Sequence, residues 1–119
     1  MGMGIDDAAR YAAMARRAAS GGDAIAACEM ARRAASAAVL AVAEARGLSP
    51  KSNSLSGALR ELGEDGSLAR AAAELDSCGE ALEGAWAIGA VAAARAVARA
   101  EQIVVWARDV IRNASRSGR

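Results

Sequence analysis

A chain of 119 residues has the length of one domain, and its formal charge of +1 excludes the global basic field that drives nonspecific nucleic-acid binding. Its 35 alanines, single proline and 3% aromatics, with no sustained apolar–polar alternation, exclude a sheet protein and specify an all-α fold. The absence of histidine excludes serine–histidine chemistry.

In chain order, the first helix is expected from Asp6 to Ala19. Asp6 and Asp7 suit the positive end of a helix, and Arg16 and Arg17 suit its negative end. Ser20-Gly21-Gly22 breaks it. Asp23 is an N-cap for a second helix running to Arg46, with Gly47 as the stop. Its apolar stripe is Ile25, Cys28, Ala35, Val39 and Val42, interrupted by Arg32. Residues 48–53 form a loop, since Pro50 excludes continued helix. Ser54 caps a short third helix with Leu55, Leu59 and Leu62 on one face. Residues 63–66 form a turn. Ser67 caps a fourth helix that buries Leu68, Ala72 and Leu75, and residues 76–84 read as a second break around Gly79 and Gly84. The last helix is expected from Ala85 to Asn113, with core positions Val97, Ala100, Val104, Ala107 and Ile111 flanked by Ile103 and Val110. Arg95, Arg99, Glu101, Arg108 and Arg112 take its other side. These elements predict an antiparallel helical bundle of four to five helices over residues 1–114, followed by a disordered tail over 115–119.

Large apolar side chains number 27, so the core of one copy is thin and burial against a partner adds to it. The longest apolar runs, 34–43 and 85–94, are about half the ~20 residues of a membrane span. Residues 1–10 lack the basic and apolar regions of a signal peptide, and Asp6 stands where a myristoylation motif requires Ser or Thr. Cys28 and Cys78 are distant in sequence and form no metal-spaced motif. Two unpaired thiols fit a reducing, cytoplasmic setting.

One segment carries a family resemblance. Gly21-Gly22-Asp23 precedes a long helix containing Ala26-Ala27-Cys28-Glu29 and residues 33–41. Gly47-Leu48-Ser49-Pro50 follows, then Asn53-Ser54-Leu55 opening a leucine-bearing helix. This order resembles the HEPN family, small helical bundles linked to nucleotides and RNA, over roughly residues 5–62. The resemblance implies a HEPN-like fold, nucleotide or RNA as ligand, and a homodimer or a small nucleotidyltransferase as partner, in the manner of toxin–antitoxin pairs. It also shows what is missing. Asn53 stands where many members carry histidine, and Ser36 and Ala37 replace a charged pair of the long helix. No arginine–histidine nuclease element occurs between Cys78 and Ala90. The arginine-spaced element 108–113 ends in Asn113, which exchanges no proton near neutral pH. The expected protein is a noncatalytic HEPN-like bundle without cofactor or metal. A structural adaptor without nucleotide ligand is the alternative, and a ribonuclease ranks last.

The candidate phosphate contacts are Arg32 and Arg33 on the second helix and Arg108 and Arg112 on the last. For Arg32 the competing reading is a packed stem with a solvated head. For Arg108, Arg112 and Arg116, spaced at one face, it is the stabilisation of a helix C-terminus by cations. The candidate interface residues are Val105 and Trp106, which lie off the buried stripe, and Trp86. Asp76, Glu80 and Glu83 cluster as carboxylates, and without a calcium-loop frame they read as a solvated acidic turn.

Overall fold

The computed structural model describes residues 4–64, 66–83 and 89–117. Five helices follow one another: α1 (Ile5–Ser20), α2 (Ala24–Ala45), α3 (Leu55–Glu61), α4 (Ser67–Glu83) and α5 (Ala90–Ser117). No strand occurs among the described residues. The all-α bundle expected from the sequence is the observed fold.

Local chemistry sets the ends of the helices. The Asp7 carboxylate reaches back to accept from the Gly4 N–H at 3.0 Å, which anchors the start of α1. Gly22 takes φ 85°, a left-handed conformation that side chains resist, and turns the chain into α2. There the Asp23 carboxylate accepts from the Ala26 N–H at 3.1 Å, the expected cap. Gly47, at φ 69°, ends α2 in the same left-handed way.

α2 is the axis of the bundle and touches every other helix. Ala27, Cys28, Ala31, Ala34, Ala35, Ala38, Val39 and Val42 are buried along it. Alanine adds little side-chain bulk, so α1, α4 and α5 pack close around α2. Cys28, Ala35, Val39 and Val42 are buried as the sequence stripe predicts, but Ile25 is 51% exposed. Ile25 belongs with Glu29, Arg33, Ser36 and Leu40 to the strip of α2 that its neighbours leave open, one helical turn apart at each step.

α1, α2 and α5 form a three-helix layer, and α3 with α4 packs against α2 and α5. Salt links cross the seams. Arg16 of α1 grips Glu101 of α5, with Nε to Oε2 at 2.9 Å and Nη2 to Oε1 at 2.7 Å. Arg95 and Arg99 of α5 share Glu74 of α4, at 2.8 Å and 2.9 Å. The hydrogen bond from Arg95, with support from Arg99, holds the Glu74 carboxyl below the usual carboxylate range. That contribution to stability is therefore present at neutral pH and is lost as the pH falls through the lowered range. Arg95 and Arg99, two of the α5 arginines that the sequence places opposite the core, thus tie the helix to α4.

The second break expected at residues 76–84 is helical to Glu83, the end of α4. One glycine inside a helix costs only ~1 kcal/mol relative to alanine. Tertiary contacts outweigh that cost, because Leu75 is fully buried and Cys78 packs on the core. Asp76 is likewise not a solvated turn residue. Its carboxylate caps α3, accepting from the Leu55 N–H at 3.0 Å, the Ser56 N–H at 3.2 Å and the Ser56 hydroxyl at 3.0 Å. Ser67 is the first residue of α4, not its cap: the Arg70 N–H donates to the Gly66 carbonyl at 3.0 Å.

The loop between α2 and α3 is fixed by the same logic. Both Glu61 carboxylate oxygens accept from the backbone, from Lys51 N–H and Ser52 N–H at 2.8 Å each. Ser54 caps α3 as expected, its hydroxyl accepting from the Gly57 N–H at 3.0 Å. A Cβ at Gly57 would collide with Ser52 Oγ and Cβ and with Ser54 Oγ. Ser52 Oγ also accepts from the Ser54 N–H, so it has no free room to retreat. Gly57→Ala is therefore expected to lower unfolding stability by about 1–3 kcal/mol, although alanine is the better helix former. Urea unfolding of the two proteins checks this, and an unchanged or raised midpoint would show that the loop yields at no cost.

Candidate functional site

Among the described residues, two concave regions hold positions that the sequence singles out. The larger, about 420 Å³, runs between α1 and α5 and is lined by Ala9, Ala12, Ala13, Arg16, Glu101, Val104, Val105 and Arg108. Its floor is apolar where α1 presents Ala9, Ala12 and Ala13 and α5 presents Val104 and Val105. The Arg16–Glu101 pair crosses it at one end, and a further concavity continues past that pair over Ala19, Ala94, Val97 and Ala98.

The smaller, about 110 Å³, lies between α2 and the loop before α3, over Ser36, Leu40, Pro50, Asn53 and Leu55. Four backbone N–H groups near it are already occupied: Lys51 and Ser52 by Glu61, Leu55 and Ser56 by Asp76. A helix N-terminus attracts anions through such free donors. Here the protein's own carboxylates fill that role, so this end of α3 offers nothing to a phosphate.

The sequence-predicted residues separate between these regions. Arg108 lines the α1/α5 groove, and Arg112 is exposed one turn further along. Val105, 57% exposed, lines the groove, whereas Trp106 is half-buried and packs on the core. Trp86 lies outside the described residues, and the side chains of Glu80, Glu83 and Arg116 also lie outside them. Arg33 is ion-paired with Glu29 at 2.9 Å, one turn away on α2. Arg32 is half-buried, and its Nε is enclosed without a hydrogen-bond partner. The groove takes its lining from α1 and α5 alone, so Arg32 and Arg33 are not part of it.

One feature escapes the sequence reading. Val91, Ala94, Ala98 and Val105 are all exposed on α5, at three-, four- and seven-residue steps, and Val91 is 76% exposed. Arg108 and Arg112 continue the steps. This spacing is a coiled-coil seam left without a helix against it. The signal was present in the sequence, but the seam stands next to a second, buried stripe and only packing tells the two apart. Among the described residues, no group of His, Cys, Asp and Glu is arranged to hold a metal ion, and no helix is long and apolar enough to cross a membrane.

No family model matches the sequence, and no curated protein does. A HEPN domain protein of Thermotoga maritima, known from its crystal structure, is similar. It is 27% identical, with a TM-score of 0.76, and the match covers 90% of this chain and 95% of that one. The HEPN resemblance carried in sequence by residues 5–62 is thus joined by a structural similarity over 90% of the chain.

Proposed function

We propose that this HEPN-like helical bundle is a noncatalytic module that pairs with a second copy of itself through the α5 seam and the α1/α5 groove. The exposed run Val91, Ala94, Ala98, Val105 carries the reading, because a bundle with few large side chains gains from covering it. Charge favours a second copy over an unrelated partner. Arg108, Asp109 and Arg112 are exposed beside Val105 and belong to none of the observed ion pairs. When two α5 helices cross antiparallel about a two-fold axis near these residues, Asp109 of each copy faces arginine of the other. A self-complementary patch of this kind is what a two-fold interface requires. The noncatalytic part of the reading rests on the lack of any histidine in the chain. Sedimentation equilibrium at micromolar concentration tests the association, with a dimer expected and a monomer counting against it. A dimer only in the presence of a second protein, such as a small nucleotidyltransferase, would move the seam to that partner.

A second reading concerns Arg32. An enclosed guanidinium nitrogen without an acceptor leaves a desolvated donor unsatisfied. A phosphate-bearing ligand, nucleotide or RNA, supplies such an acceptor beside α2. Arg32→Ala is then expected to weaken nucleotide or RNA binding about tenfold or more at low salt, and less at high salt. Calorimetry with ATP, GTP and a short RNA measures this. Absence of heat at millimolar nucleotide and with RNA leaves Arg32 a structural arginine, its stem packed and its head solvated.

A further inference from the structure

The exposed seam of α5 steps by three and four residues from Val91 to Arg112, except for one step of seven between Ala98 and Val105. Glu101 fills that step, three residues after Ala98 and four before Val105, so an acidic residue stands at the centre of the seam. Glu101 is half-buried, and its carboxylate is already held. Arg16 of α1 donates to it from Nε, at 2.9 Å to Oε2, and from Nη2, at 2.7 Å to Oε1 and 2.6 Å to Oε2. A forked arginine–carboxylate pair of this kind fixes geometry as well as charge.

Arg16 differs in size from its neighbours on α1. The other α1 residues along the two adjoining hollows are small: Ala9, Ala12 and Ala13 on one side of the pair, Ala19 and Ser20 on the other. Small side chains leave room for another helix to lie close. Arg16 and Glu101 line both hollows, so the pair bridges α1 and α5 where the two hollows meet. The Arg16 side chain is 67% exposed, and a pair so open to water adds little to the stability of one copy. Its effect grows when something covers it.

We infer that Glu101 is the polar position that sets how a second copy seats on the α5 seam, and that Arg16 is the residue that positions and neutralises it. This rests on the pairing of two copies through that seam. A copy that covers Val91 through Val105 covers Glu101 with them and strips water from its carboxylate. An unpaired carboxylate under such a cover is costly, and a two-fold axis counts it twice. The Arg16 fork supplies the opposite charge from within the same copy. A polar residue inside a helix seam lowers affinity and narrows the choice of register, because shifted pairings lay apolar side chains over the charges.

Sedimentation equilibrium of the full chain and three variants tests this. Arg16→Ala is expected to weaken association about tenfold or more, with helicity and urea unfolding at low concentration nearly unchanged. Arg16→Ala combined with Glu101→Gln removes the orphaned charge and is expected to recover to within about threefold of the unmodified chain. Glu101→Leu makes the seam apolar through its centre and is expected to associate about tenfold more tightly, as more than one species. A pair that only ties α1 to α5 predicts otherwise: a lowered unfolding midpoint in Arg16→Ala and no recovery of association in the double variant. That result, or a Glu101→Leu chain that stays a single dimer of unaltered affinity, overturns the role. An unmodified chain that is a monomer removes the seam pairing and this role together. An unmodified dimer that Arg16→Ala leaves intact removes this role alone.

Discussion

A Val105→Glu chain is expected to sediment as a monomer at concentrations where the unmodified chain is a dimer. Val105 is 57% exposed on α5 and lines the α1/α5 groove, so the fold has little to lose when it is replaced. The proposed interface has much to lose. Burying a valine side chain contributes ~1.5–3 kcal/mol, and a two-fold axis counts the loss twice. Glutamate also places an uncompensated carboxylate in each half of the contact. A combined cost of about 3 kcal/mol or more corresponds to at least ~100-fold weaker association. Circular dichroism of the monomer should show unchanged helicity. Ile25→Glu serves as the control, since Ile25 is comparably exposed but sits on the open strip of α2. Unaltered association of Val105→Glu, or equal disruption by Ile25→Glu, would remove the seam from the interface.

The largest effect on folding is expected from Asp76→Ala. One carboxylate accepts three hydrogen bonds from the start of α3, two of them from backbone N–H groups that are partly enclosed. Hydrogen bonds to a charged acceptor contribute ~1.5–3 kcal/mol, and orphaned donors add their own desolvation cost. The expected loss is ~3 kcal/mol, a drop of on the order of 10 °C in the melting midpoint of a domain this size. Asp76→Asn keeps one acceptor oxygen and should fall between the two. Differential scanning calorimetry of the three proteins checks the order. An Asp76→Ala chain within about 0.5 kcal/mol of the unmodified one would show that Ser54 caps α3 by itself.

By itself the sequence determined what local chemistry controls. Asp23 and Ser54 cap their helices because a short acceptor side chain ahead of an apolar periodic run meets the free N–H groups of the first turn. Gly47 and Gly63 stop helices because they enter the left-handed region at little cost. Alanine content and period fixed the all-α class, and the Gly-x-x-Pro order carried the HEPN resemblance. The tertiary structure decided whatever depends on partners distant in the chain. It kept α4 helical past Gly79, because burial of Leu75 and packing of Cys78 outweigh one glycine. It turned Asp76 from a solvated acid into the cap of a helix twenty residues earlier. It moved Ile25 out of the core and Ile103 fully into it, since α2 and α5 each have several neighbours and a single stripe cannot describe them.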